Sequence, residues 1–166
     1  MGFILLAFMA GVVGFAAGLY YAVAYVVMGM VGFGVLMLLS NEAFECEEVA
    51  DLAGLNQRNA WYAFLMLLAM FSMAGIPPLM GFYAKFAVIK ALLAEGYVWL
   101  SVFAVVMSLI GAFYYLRVVK VMYFDPANNE HPIGGNVVGK ILLSVNAALL
   151  LVWGCLLYTS DAADER

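Results

Sequence analysis

Charged residues are scarce in this chain, and their scarcity excludes most soluble folds. Only 11% of its 166 residues are charged, whereas 67% are hydrophobic and the mean hydropathy is +1.04. A typical soluble domain carries about 25% charged residues. The net charge is −4 and no cluster of basic residues is present, which argues against a nucleic-acid partner. We therefore predict an integral membrane protein.

Residues that bind metals or form disulfides are equally few. The two cysteines, Cys46 and Cys155, lie far apart in the sequence, and the single histidine, His131, lies in a polar loop. None of them has a second ligand at metal-binding spacing, so neither a metal nor a redox site is predicted. No basic residue precedes the apolar N-terminal stretch, which argues against a cleavable signal peptide. We expect the chain to be part of a longer protein.

Long apolar stretches dominate what is present. A helix needs about 20 apolar residues to cross the hydrocarbon core. Residues 1–39 contain no charge, and a cluster of glycines predicts a helix break near 15–19. The prediction is an all-α integral membrane protein, a multi-span helical bundle with one transmembrane domain over 1–158. Its predicted spans are 3–16 (partial), 19–39, 60–76, 79–94, 98–124 and 139–158.

The polar stretches set a predicted orientation and leave one segment open. With these spans, the loop at 40–59 shares a side with the turn at 95–97, and the opposite side holds more lysine and arginine. The positive-inside rule then predicts a cytoplasmic loop at 125–138. Residues 159–166 change abruptly to a polar composition. They are interpreted either as a native polar tail or as a junction that is not native.

Lys85 is the residue that apolar composition does not explain. A helix break precedes it, because glycine and proline interrupt helices and leave backbone groups unpaired. A lysine at the centre of a membrane helix costs about 2.5–3.5 kcal/mol, and counted from the break Lys85 lies about a third of the way into its span. Burial disfavours the charged form of lysine, so Lys85 is a candidate for proton exchange. The alternative is that its stem snorkels to the interface. The predicted break residues are Gly75, Pro77, Pro78 and Gly81.

Three further charges are candidates for a supporting role. Lys90 and Glu95 lie near the far end of the same span as Lys85, where snorkelling to the interface explains them. Lys85 and Lys90 are separated by about 500° of helical rotation and point in different directions. Arg117 lies near the end of the next span, either as an interfacial anchor or as a counter-charge on the path.

Two stretches carry a resemblance to a known family. Residues 72–86, Ser-Met-Ala-Gly-Ile-Pro-Pro-Leu-Met-Gly-Phe-Tyr-Ala-Lys-Phe, resemble the signature of the antiporter-like subunits of respiratory complex I, the proton-pumping NADH–quinone oxidoreductase. Residues 110–125 support the same family, and the resemblance covers most of 1–155. It is closest to the N-type subunits, because M-type subunits usually have a glutamate where Lys85 stands. The resemblance implies the C-terminal part of an antiporter-like fold, with one discontinuous helix near 76–94.

The resemblance also implies a function and partners. Lys85 would belong to a chain of buried charged residues and water whose protonation is coupled to quinone reduction elsewhere in the complex. The family's remaining charges in that chain lie on earlier helices, so this polypeptide alone is not expected to pump. NADH, FMN, iron–sulfur clusters and quinone would be bound by other subunits, and this chain would bind no cofactor. Its partners would be other membrane subunits of complex I and the lipid bilayer of the bacterial inner membrane.

Two alternatives stay open at this point. The same family resemblance extends to subunits of multisubunit cation/proton antiporters and of membrane-bound hydrogenases. A purely structural membrane module, whose lysines only snorkel, is the third hypothesis.

Overall fold

A computed structural model describes residues 2–40, 46, 48–127 and 137–164, so His131 lies outside the described residues. Within these ranges the chain forms helices and no β-strand, which confirms the predicted all-α membrane fold. The helices are α1 (Gly2–Met9), α2 (Gly11–Leu39), a 3-10 turn (Val49–Leu52), α3 (Leu55–Arg58), α4 (Ala60–Ala74), α5 (Met80–Ala94), α6 (Val98–Phe124) and α7 (Val137–Asp164).

Helix length separates full spans from half spans. Three helices are long and apolar enough to cross a membrane, namely Gly11–Leu39, Val98–Phe124 and the Val137–Leu156 part of α7. Helices α4 and α5 have 15 residues each. At 1.5 Å per residue each is about 22 Å long, which is less than the hydrocarbon core of about 30 Å. Neither half can therefore cross the bilayer alone.

Helices α4 and α5 together form one discontinuous span beside α2. Near the C-terminal end of α2, Gly32 approaches the side chains of Met70 and Met73 in α4. Further back along α2, the rings of Tyr20 and Tyr83 are 5.5 Å apart, so this part of α2 lies against α5. The two half helices thus follow α2 in the antiparallel direction. The prediction of one discontinuous helix is confirmed, but 60–76 and 79–94 are halves of one span and not two separate spans.

Because α4 and α5 form one span, the loops lie on other sides of the membrane than the sequence predicts. The backbone N–H of Gly54 donates to the carbonyl oxygen of Val121 at 3.2 Å, so the loop before α4 meets the C-terminal end of α6. The loop at 40–59 was predicted to share a side with the turn at 95–97. Its described part instead lies at the same end of the bundle as the end of α6. The predicted sides are wrong because two spans were counted over residues 60–94, where α4 and α5 form one discontinuous span.

The first helix break lies earlier than the glycine cluster predicted. Helix α1 ends at Met9 and α2 begins at Gly11, whose φ of +60° suits glycine. The predicted break near 15–19 is therefore wrong. Gly14 and Gly18 lie within α2, and a Cβ on either would collide with Ala7 of α1. Their absent side chains allow two helices to pack closely, which is a packing role and not a break.

Capping and side-chain contacts fix the start of α4 against α7. The side-chain oxygen of Asn59 accepts hydrogen bonds from the backbone N–H groups of Trp61 and Tyr62, which satisfies two donors at the helix start. The indole N–H of Trp61 donates to the hydroxyl of Ser144 in α7 at 3.1 Å.

Helix α7 continues into the predicted polar tail. Residues 159–164 form its last part.

Candidate functional site

The site lies at the C-terminal end of α4, where two backbone carbonyl groups have no helical N–H donor. Gly75 caps α4 with a φ of +88°, and its N–H donates to the carbonyl oxygens of Phe71 and Ser72. The helical donors for the carbonyls of Met73 and Ala74 would be residues 77 and 78, which are both prolines and have no N–H. The carbonyl oxygens of Met73 and Ala74 are therefore left for other donors, at the negative end of the helix dipole.

The side chain of Lys85 supplies those donors. Its Nζ donates to the carbonyl oxygen of Met73 at 2.9 Å and to that of Ala74 at 3.0 Å. The third hydrogen bond goes to the hydroxyl oxygen of Ser108 in α6, at 2.9 Å. An ammonium has three donors, and all three are used. The cation therefore binds at the helix break between α4 and α5.

A hydrogen bond from a backbone N–H also joins the two half helices. The hydroxyl oxygen of Ser72, which is fully buried, accepts from the backbone N–H of Gly81 at 3.1 Å. A Cβ at Gly81 would collide with the carbonyl oxygen of Ser72, so only glycine allows this approach. Gly81 was predicted as part of the break, and it lies within the first turn of α5. Pro77 and Pro78 lie between the two helices and are joined by a cis peptide bond.

A cavity of about 530 Å³ opens beside Lys85. Ser108 and the tyrosines at positions 21, 25 and 115 contribute polar groups to its wall, and the ring of Phe3 lies 6.0 Å from the Lys85 Nζ. Lys85 was expected to be buried, but its side chain is only half-buried. Among the described residues the fully buried polar side chains are Ser72 and Ser101, and none is charged. The open cavity accounts for this difference, because it exposes one side of the lysine.

The other predicted charges lie elsewhere. Lys90 is exposed and lines a separate cavity between α2 and α5, with its Nζ 6.0 Å from the ring centroid of Phe86. Glu95 is exposed just after the end of α5. Arg117 is exposed and lines a third cavity together with Glu48. Of the predicted site residues, the structure therefore brings only Lys85 together with the helix break.

Two serines of the site were absent from the sequence predictions. Ser72 lies at the end of one apolar stretch and Ser108 in the middle of another. A hydroxyl in the middle of a membrane helix is a signal that could have singled out Ser108, because polar groups at that depth need partners. No local pattern connects it to Lys85, which is 23 positions away.

The family follows from comparison with known proteins. The model of the family described as "NADH:quinone oxidoreductase/Mrp antiporter, TM" matches residues 1–111, which include α1 to α5 and the lysine site. The chain belongs to this antiporter-like membrane family. The resemblance inferred from residues 72–86 is thereby confirmed. Membership also agrees with the discontinuous span, which α4 and α5 form within the matched residues.

Relatives in the antiporter-like family show which part of a longer subunit this chain corresponds to. The chain is 74% identical over 155 residues to NADH-quinone oxidoreductase subunit N of Neisseria gonorrhoeae, covering 93% of this chain and 32% of the relative. It is 53% identical to the subunit N of Nitrosomonas europaea, with the same coverage. The chain thus spans about a third of the length of these curated relatives and corresponds to their C-terminal part.

A solved structure supports the antiporter-like fold. Respiratory complex I from Thermus thermophilus with bound aureothin contains a chain that matches with a TM-score of 0.81 and 28% identity. The match covers 93% of this chain and 35% of that one. Together with the bacterial relatives and the apolar helices, it identifies the chain as a multi-pass segment of the bacterial inner membrane.

Proposed function

We propose that this chain is the C-terminal part of a proton-translocating membrane subunit of NADH–quinone oxidoreductase, with Lys85 as a residue that gains and releases the transported proton. The observation that carries the proposal is the ammonium held by two helix-end carbonyls and one hydroxyl beside a cavity. Among the described residues, the hydrogen-bond partners of this cation include no carboxylate. A lysine held by neutral groups in a membrane can lose its proton at a lower cost than one paired with a carboxylate.

Redox energy would reach Lys85 through neighbouring membrane subunits. NADH, FMN, iron–sulfur clusters and quinone would be bound by other subunits, so that the contribution of this chain is proton transfer and not redox chemistry. A small movement between α4 and α5 would change the contacts of the ammonium with Met73 and Ala74, and hence the free energy of its charged form. Other complex I membrane subunits and the bilayer are the proposed partners. Lys90, Glu95 and Arg117 would support the path only indirectly, since each lies outside the lysine site.

The distribution of basic residues supports an orientation for this subunit. One end of the bundle carries the described part of the loop before α4, the C-terminal end of α6 and the start of α7. The positive-inside rule assigns this end to the cytoplasm. Four of the basic residues lie there: Arg58, Arg117, Lys120 and Lys140.

The test is replacement of Lys85 in the full-length subunit within the assembled complex. Lys85→Ala should strongly reduce NADH-driven proton transfer into sealed membrane vesicles, measured with a pH-sensitive dye. Lys120→Ala, which removes a cation exposed at the end of α6, serves as the matched control and should keep the wild-type rate. Undiminished transfer by an assembled Lys85→Ala complex would overturn the proposal.

A second candidate is a subunit of a multisubunit cation/proton antiporter. The family description that matches residues 1–111 names such antiporters together with NADH:quinone oxidoreductase. Copurification distinguishes the two candidates. Partners that bind quinone favour the oxidoreductase, whereas a set of small antiporter subunits favours the alternative.

A further inference from the structure

The three acceptors of the Lys85 ammonium differ in one chemical property. The carbonyl oxygens of Met73 and Ala74 accept hydrogen bonds but carry no proton that they could pass on. The hydroxyl of Ser108 both accepts a hydrogen bond and holds an exchangeable proton. We propose that Ser108 is the proton-transfer group through which Lys85 exchanges its proton with the adjacent cavity. This inference rests on the function proposed above for Lys85.

The position of Ser108 suits this role. It lies on α6, which faces the helix break, and its hydroxyl oxygen is 2.9 Å from the Lys85 Nζ. Both side chains line the cavity of about 530 Å³, which extends along α6 from Leu100 to Tyr115. The wall of this cavity is mainly apolar, and Lys85 and Ser108 form a polar part of it beside which a water molecule could be held. The three donors of the ammonium are bonded to Met73, Ala74 and Ser108. Among these acceptors, Ser108 is the group that lines the cavity and can also pass a proton to water there.

The transfer step balances without an added reactant. One N–H bond of the Lys85 ammonium breaks as its proton moves to the hydroxyl oxygen of Ser108. At the same time the O–H bond of Ser108 breaks and its proton moves to a water molecule in the cavity. The products are a neutral lysine amine, an intact serine hydroxyl and a protonated water. The reverse sequence reloads the lysine, and no electron is transferred in either direction.

Helix α6 also supplies a matched control. Ser101 is buried on the same helix, but its hydroxyl donates to the carbonyl oxygen of Tyr97 one turn earlier. It therefore has the same chemistry in the same kind of helix without a bond to Lys85. Replacing Ser101 by alanine removes a hydroxyl and keeps the lysine site unchanged.

The experiment compares four variants of the full-length subunit in the assembled complex, reconstituted into vesicles. The initial rate of NADH-driven proton transfer is measured for Ser108→Ala, Ser108→Thr, Ser108→Cys and Ser101→Ala. A positioned proton-transfer side chain typically contributes about 100- to 10,000-fold to a rate, so Ser108→Ala should slow transfer at least about tenfold. Ser108→Thr keeps the hydroxyl and should restore most of the rate.

Each result supports or overturns the inference. Loss of transfer in Ser108→Ala, rescue in Ser108→Thr and a wild-type rate in Ser101→Ala support it. A wild-type rate in Ser108→Ala, or equal losses in Ser108→Ala and Ser108→Thr, overturns it, because the hydroxyl would then be dispensable or insufficient. If Ser108→Ala does not assemble, the similar-sized Ser108→Cys decides. Slowed transfer in Ser108→Cys supports the inference, because a thiol is a weak hydrogen-bond donor and acceptor, and transfer at the wild-type rate overturns it. A wild-type Ser108→Ala rate with an inactive Lys85→Ala complex would remove the role of Ser108 and leave that of Lys85 intact.

Discussion

Replacing Gly75 by alanine tests how closely the helix break and the lysine depend on each other. Gly75 has a φ of +88°, where a side chain strains the backbone. A left-handed residue other than glycine costs about 1–2 kcal/mol. The new Cβ would lie 3.2 Å from both Cδ and Nζ of Lys85, so the lysine side chain must shift by a few tenths of an ångström, which disturbs its hydrogen bonds to the carbonyls of Met73 and Ala74. Gly75→Ala should therefore reduce stability and proton transfer together.

Stability of the Gly75→Ala variant is best measured by unfolding the chain in mixed detergent micelles and following tryptophan fluorescence. We expect the free energy of unfolding to fall by about 1–2 kcal/mol. Gly29→Ala is the matched control, because a Cβ at Gly29 meets no atom within 4 Å and alanine favours a helix interior by up to about 1 kcal/mol. If Gly75→Ala is as stable as the wild type and transfers protons at the wild-type rate, the inferred dependence is refuted.

Three further predictions concern packing, capping and a loop thiol. Gly81→Val should cost about 1–3 kcal/mol of unfolding free energy, because its Cβ collides with the carbonyl oxygen of Ser72; unchanged detergent unfolding would contradict this. Asn59→Ala removes the cap of α4 and should cost about 0.5–2 kcal/mol in the same assay, whereas a loss below this range would argue against the cap. Burial raises the pKa of the Cys46 thiol above its ordinary 9.0, which lowers the reactive thiolate fraction at any given pH. In a Cys155→Ser variant, maleimide labelling should therefore reach half its maximal rate above pH 9.0, and a midpoint at or below that pH would contradict the burial.

The sequence located the helix break but could not give its depth in the membrane. A Pro-Pro pair between two apolar stretches is as compatible with a turn at the surface as with an interruption inside a span. The length of the two helices decides between these possibilities. Helix α4 ends at Ala74, helix α5 begins at Met80, and each has 15 residues. Because both are too short to cross alone, they form one span, and the predicted sides of the loops change as a result.

The hydrogen-bond acceptors of Lys85 also differ in whether the sequence could predict them. The two carbonyls could have been predicted, because Met73 and Ala74 stand four residues before Pro77 and Pro78, which have no N–H to offer them. Ser108 could not have been assigned to the site, since its contact with Lys85 depends on how α6 packs against α5. Local patterns determine which backbone groups are left unpaired, whereas tertiary packing determines which side chains reach them.

The variant Lys85→Arg tests most directly whether Lys85 exchanges its proton. Arginine keeps the positive charge and has donors for the carbonyls of Met73 and Ala74, but it does not lose its proton in proteins. The decisive measurement is NADH-driven proton transfer by the assembled Lys85→Arg complex in sealed vesicles. We expect a complex that assembles but transfers protons as poorly as Lys85→Ala. Transfer at the wild-type rate would show that only the charge matters and would contradict proton exchange by Lys85.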